Sequence, residues 1–173
     1  AAVAADVAWI ATGRALRCLA LDDGQPPPGP RWITGPVQAL HGTADSAWVQ
    51  HQDRVAPIDL TTGAPGTAIE GHFCAPLPDG GALLAVPEDD RSRLVRHTDR
   101  LVPLPIHGVF SAAAHGSGWI LTLAHQADAA RGLHRWSAEG RSEATLEAGH
   151  SLGQLATAPD QRRCLVSTGS TLT

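Results

Sequence analysis

Short apolar runs alternate with polar turn clusters along this chain, and apolar residues do not recur at the three- and four-residue spacing of a helix. One run returns with a tryptophan often near its start. It reads Val7-Ala8-Trp9-Ile10-Ala11, Ala47-Trp48-Val49-Gln50, Ala82-Leu83-Leu84-Ala85-Val86, Trp119-Ile120-Leu121-Thr122-Leu123 and Cys164-Leu165-Val166-Ser167. The interval is about 35 to 45 residues, the period of a stacked supersecondary unit. After each of the first four runs comes a second, alternating stretch that ends in turn residues. These stretches are Ala15 to Leu21 before Asp22-Asp23-Gly24, Arg54 to Leu60 before Thr61-Thr62-Gly63, Ser92 to His97 before Thr98-Asp99, and Gly132 to Trp136 before Ser137-Ala138-Glu139-Gly140. Alternation closing on such a cluster predicts a hairpin, with glycine supplying positive φ and Asp99 standing in for it in the third repeat.

Corners punctuate the repeats at Gly35-Pro36, Gly71-His72, His107-Gly108 and Gly149-His150. Each precedes a stretch of small residues, namely Val37 to Leu40, Phe73 to Leu77, Val109 to Ala114 and Leu152 to Ala158. Turns at Asp45-Ser46, Pro78 to Gly81, Gly116 to Gly118 and Pro159 to Gln161 then lead into the tryptophan run. One unit is therefore a small-residue strand, a tryptophan strand, an alternating strand and an outer strand. The first packs where neighbours crowd, which suits Ala39, Ala75, Ala112, Ala113 and Ala156. The outer strand is an exposed edge, which suits Pro26-Pro27-Pro28, Pro65, Pro103 and Pro105, because proline removes donors that would invite pairing.

Gly149 to Thr168 resembles the opening of a WD40 repeat, and Arg54 to Gly63 is similar to the third strand of a WD40 or quinoprotein-type blade. The resemblance covers essentially the whole chain and implies an all-β fold, a β-propeller of about four four-stranded blades plus part of a fifth. The blades run approximately over 1–35, 36–71, 72–107, 108–149 and, in part, 150–173, as one propeller domain. No Trp-Asp pair closes a third strand; Ile58-Asp59 and Trp136-Ser137 stand nearest. The Asp-His-Ser/Thr-Trp hydrogen-bond network of WD40 blades is thus expected to be incomplete. A β-sandwich is the rival, but it does not predict a sustained period. Helical turns are the local alternative at Ser111 to Ala114 and Gln126 to Arg131. The last repeat stops at Thr173 early in its third strand, and the chain begins at or just before its first tryptophan strand. The expectation is therefore an arc of a larger propeller, completed by further sequence or by another chain.

Composition narrows the function. All 13 basic residues are arginine, and lysine, asparagine, tyrosine and methionine are missing, the signature of a GC-rich and thus bacterial genome. Without methionine, Ala1 is not a translation start. The net charge of −4, with both signs interspersed, argues against nucleic-acid binding, which needs a concentrated basic surface. No apolar run is long enough to span a bilayer, and no signal peptide is visible, although one removed earlier would leave a periplasmic protein. Cys18, Cys74 and Cys164 are far apart and odd in number, which argues against a structural zinc site and suits a reducing cytoplasm.

Candidate chemistry is sparse. His72 and His150 fall at Gly-His corners, where WD40-like blades use histidine structurally; His41, His107 and His115 are similarly placed and could converge on a metal. Gly149-His150-Ser151-Leu152-Gly153 matches the Gly-x-Ser-x-Gly nucleophile elbow, yet Pro159 cuts short any following helix and no histidine follows Ser151. Asp45, Asp79 and Asp160 occupy one slot in three repeats and read as turn residues. Glu88-Asp89-Asp90-Arg91-Ser92-Arg93, continuing to Arg96 and Arg100, reads as an exposed hairpin in the third blade and a possible partner patch. No catalytic, cofactor-binding or metal-binding set is assigned. The expected function is a non-catalytic propeller that serves as a protein-interaction or scaffolding platform. The alternative is a propeller enzyme or cofactor-binding propeller, quinoprotein-like or a metal-dependent lactonase or lyase.

Overall fold

The computed structural model describes residues 2–4, 7–11, 16–20, 25, 37–42, 47–59, 64–77, 80–114, 120–124, 132–147, 152–157, 163–168 and 171–172. Every regular element among them is a β-strand, and each sheet is built from consecutive strands. The first sheet holds β1 (Ala2–Ala4), β2 (Val7–Ala11) and β3 (Leu16–Ala20). The second holds β4 (Ala39–Gly42), β5 (Ala47–His51), β6 (Arg54–Ile58) and β7 (Ile69–Glu70). The third holds β8 (His72–Pro76), β9 (Ala82–Glu88), β10 (Arg91–His97) and β11 (Leu101–His107). The fourth holds β12 (Val109–Ala114), β13 (Ile120–Ala124), β14 (Gly132–Trp136) and β15 (Ser142–Glu147). The fifth holds β16 (Leu152–Thr157), β17 (Cys164–Thr168) and β18 (Thr171–Leu172). The chain divides into two compact units, Ala1–Phe73 and Cys74–Thr173.

In the first unit, two-residue turns set the register. His51 pairs with Arg54 across Gln52-Asp53, and Gln52 adopts φ 53°. Ala47, Trp48, Val49 and Gln50 of β5 are all buried, so this strand is covered on both faces and reads as a continuous rather than an alternating run. Pro65 forms only an isolated bridge to Ile58, and the regular outer strand β7 pairs with the other end of β6. Ala2–Ala4 already forms an antiparallel strand on β2, because a three-residue alanine/valine run there is small enough for the first position of the unit.

In the second unit the core lies between the third and fourth sheets. Leu83, Leu94, Leu104 and Ile106 of the third pack with Val109, Ala112, Ala114 and Ile120 of the fourth, and Cys74 and Trp136 close the margin. Register decides which residues take part. Ala85 pairs with Leu94, and Leu83 lies two residues from Ala85, so these three share one face of the β9–β10 hairpin. Strand β12 lies against β9 and β10 on one side and against β16 on the other. Its alanines are small enough to allow both approaches. Ser111–Ala114 is strand, not a helical turn, because cross-strand pairing with β13 supplies its backbone partners. Gln126 to Arg131 lies outside the described residues.

Outer strand β11 keeps Leu104 and Ile106 buried while Pro103 and Pro105 are exposed. The two prolines remove donors from that edge, as anticipated. Gly140 (φ 79°) closes the β14–β15 turn directly over Pro105, where a Cβ would come within 2.7 Å of the proline ring. Only glycine satisfies both the left-handed backbone and that approach.

Candidate interaction surface

The charged run of the third blade forms the exposed hairpin that its sequence predicts. Strands β9 and β10 meet at Asp89-Asp90, with Glu88 paired to Arg91 and Asp89 at φ 53°. Just below the turn, Glu88 holds two partners. Arg93 Nη1 donates to its Oε1 at 2.9 Å, and His107 Nδ1 lies 3.1 Å from its Oε2. Arg93 and His107 meet because β10 and β11 pair them directly across the sheet. Arg93 is held a second time, its Nε donating to the Leu104 carbonyl at 3.0 Å. Ser92 ties the same hairpin to the next corner, its hydroxyl donating to Val109 O at 2.7 Å and its carbonyl accepting from Gly108 N at 2.8 Å. The result is a set of partly exposed charges whose positions are fixed by the sheet. Asp90 and Arg91 stand 3.9 Å apart at the exposed tip.

Among the described residues, His41, His72 and His107 each have neighbours of their own. His41 stacks on Phe73 at 4.0 Å and 11°, with Trp48 tilted against the same ring at 6.2 Å. His107 serves Glu88, and the His72 side chain is exposed, with Nδ1 3.5 Å from Gln50 Nε2. Among the described residues no group of three or more His, Cys, Asp or Glu could hold a metal ion. His115, His150, Ser151, Asp45, Asp79 and Asp160 lie outside the described residues. The six residues after Ser151 form strand β16, whereas a nucleophile elbow needs a helix there. Burial pushes the Cys74 thiol up to about 12, against a lesser opposing pull from a hydrogen bond with the Ala85 backbone, so Cys74 is no nucleophile at neutral pH.

At the Gly71-His72 corner, Gln50 joins the expected histidine as a structural polar group. Its side chain is almost wholly buried, 7% exposed. Nε2 lies 2.8 Å from Gln52 O, 3.1 Å from Arg54 O and 3.2 Å from Gly71 O, and Oε1 accepts from Phe73 N at 2.9 Å. An amide carries two N–H donors and an acceptor, so it can share its protons among the three carbonyls and accept from the one N–H, whereas a neutral imidazole has one donor and one acceptor. The fourth blade retains part of the WD40 network. Trp136 Nε1 donates to Thr122 Oγ1 at 2.8 Å, and Thr122 is 2% exposed. In sequence Trp136-Ser137 was visible, but its threonine partner on the neighbouring strand was not, because only the β13–β14 register brings them together.

Burial lowers the His41 pKa below its ordinary value, since the charged ring would lose its hydration. The folded chain therefore resists a proton that the unfolded chain accepts below about pH 6.5. The contribution is fully present above that pH and is lost as pH falls toward the folded value. Urea midpoints measured from pH 7.5 down to 5.5 should fall less steeply for His41→Phe, which keeps the stack, than for the parent. Equal slopes would remove His41 from the account.

No protein family and no curated protein matches the sequence. Solved structures do match it in shape. Kluyveromyces lactis Hsv2 superposes with a TM-score of 0.70 at 12% identity, covering 94% of this chain and 56% of that one. The Neurospora crassa Pan2 WD40 domain gives 0.65 at 8%, covering 95% and 58%. A chain of the Mitotic Checkpoint Complex gives 0.67 at 14%, covering 95% and 55%. This chain thus spans just over half the length of those structures. At such identities the likeness speaks for fold alone, and it agrees with the consecutive four-stranded antiparallel sheets and the Thr122–Trp136 bond. In fold, the chain is a divergent WD40-like β-propeller.

Proposed function

We propose that the chain is a non-catalytic propeller module that docks a protein partner, with the charged hairpin of the third blade in the contact. The observation that carries this reading is the Glu88–Arg93–His107 arrangement. Arg93 is pinned at both Nε and Nη1, so a partner would meet charges already in place and lose little side-chain entropy on binding. Arginine is favoured at such contacts. One similar chain comes from the Mitotic Checkpoint Complex, which places that protein in an assembly and supports this reading by analogy of fold.

The match to just over half of each similar structure supports an arc of a larger ring. The Cys74 thiol and the three widely spaced cysteines favour the cytoplasm, and the mild net charge of −4 favours a protein over a nucleic acid. Among the described residues, no helix is long and apolar enough to cross a membrane.

The test is co-purification of the tagged protein from its own cells, followed by affinity measurement on the partner recovered. Swapping the tip charges, Asp90→Arg with Arg91→Glu, should weaken that affinity about tenfold or more without moving the melting temperature. A partner held equally well by the swap would displace the contact from this hairpin. Stoichiometric metal or a quinone chromophore in the purified protein would instead establish the cofactor-binding alternative.

A further inference from the structure

His107 ends β11, and the corner that follows it is fixed: Gly108 adopts φ 67°, and its N–H donates to Ser92 O at 2.8 Å. From that corner the imidazole reaches Glu88, with Nδ1 3.1 Å from Oε2. The other carboxylate oxygen accepts from Arg93 Nη1 at 2.9 Å. A carboxylate has only acceptors to offer, so the proton between Glu88 and His107 belongs to Nδ1. In the neutral ring Nε2 is then an acceptor. At the preceding corner the arrangement is reversed. His72 Nδ1 lies 3.5 Å from Gln50 Nε2, an amide nitrogen that can only donate, so there Nδ1 is the acceptor and Nε2 carries the proton. Two exposed histidines at successive corners thus offer opposite hydrogen-bonding character.

The His107 side chain is 43% exposed, and among the described residues Glu88 is its polar partner. The donors nearest to it along the strands are committed elsewhere. Arg93 serves Glu88 and, through Nε, the Leu104 carbonyl at 3.0 Å, while the Ser92 hydroxyl donates to Val109 O at 2.7 Å. No residue of the next strand, β12 (Val109–Ala114), is titratable. Above the ring, the turn carries Asp89 and Asp90 against a single Arg91, all exposed, so the tip is net negative. An oriented acceptor beneath a net negative tip suits a group that brings both a donor and a positive charge.

We infer that His107 sets the specificity of the third-blade contact: its Nε2 accepts a hydrogen bond from a cationic side chain, arginine or lysine, on the partner's docking segment. The inference rests on the docking reading above and adds to it the chemical class of the partner. An acidic segment would meet an acceptor and two carboxylates with nothing to give them, and an apolar one would bury Nε2 without a donor. Discrimination thus comes from what the site refuses as well as from what it accepts.

Nitrogen-15 NMR of the purified protein at neutral pH tests the first half. His107 should show a protonated Nδ1 and a bare Nε2, with His72 the reverse. A neutral His107 protonated at Nε2 overturns the proposal, whatever any variant does. The second half is read on the partner recovered by co-purification. His107→Asn keeps an amide donor for Glu88 but has nothing at the place of Nε2, whereas His107→Gln brings an amide oxygen to that place. The first should weaken binding about tenfold or more and the second should regain most of the loss, with both melting temperatures matching the parent's. Parent-like affinity of His107→Asn, or equal losses in the two variants, overturns the assignment. A docking segment that cross-links to the hairpin yet holds neither arginine nor lysine overturns it too. If the Asp90/Arg91 swap weakens binding while His107→Asn does not, only this assignment falls. If neither change matters, the docking reading falls with it.

Discussion

Leu83→Ala is expected to lower the free energy of unfolding by about 3 kcal/mol. The leucine is fully buried between the third and fourth sheets, amid Leu94, Leu104, Ile106 and Val109. Truncation removes its transfer free energy and leaves a cavity walled by two sheets whose hydrogen-bonded strands cannot collapse to fill it. Leu165→Ala, at the equivalent position of the fifth sheet, is the internal control. Its side chain is half exposed, so the same deletion in the 173-residue chain should cost well under half as much. Urea titration of both variants measures the contrast directly. Equal losses would mean that Leu165 is already covered in solution.

Gln50→Leu should cost about 2–4 kcal/mol although it makes the site more apolar. The leucine would fill the space but leave Phe73 N–H and the carbonyls of Gly71, Arg54 and Gln52 without the amide that now serves them. Gly71 is itself buried, so water cannot easily replace the lost partner. Gln50→Glu separates shape from donors, since the carboxylate keeps an acceptor for Phe73 N but has nothing to offer the carbonyls. It should be at least as destabilising at neutral pH. A Gln50→Leu protein as stable as the parent would show that the corner is held by its backbone bonds alone, such as Gly71 N to Asp53 O at 2.6 Å.

These two residues also mark where sequence reading succeeded and where it stopped. Leu83 was legible. It sits in an apolar run that returns at a steady period, and any covered strand in that pattern buries such a residue. Gln50 was not. It closes the Ala47-Trp48-Val49-Gln50 run and looks like an ordinary polar strand end. Its importance comes from a corner 21 residues away, where the carbonyl of Gly71 turns inward. The Gly-His pattern drew attention to His72 at that corner, but not to the buried Gln50 amide beside it. The charged run at Glu88 was recognised as an exposed hairpin, because charges flanking a two-residue turn have nowhere else to go. That Glu88 bridges Arg93 and His107 was invisible, because it depends on the β10–β11 register.

The sequence by itself determined the unit: strand, turn, tryptophan strand, alternating strand and proline-bearing edge, repeated along the chain. Those are local properties, set by side-chain period, by glycine's access to positive φ and by proline's missing donor. Only the tertiary structure decided which faces of neighbouring sheets meet. It buries Leu83 and leaves Leu165 in water at the same position of the repeat, and it gives Trp136 the hydroxyl of Thr122. The physical reason is that burial and pairing are relations between strands. A one-residue change of register would present the opposite face of every strand while leaving each local pattern intact.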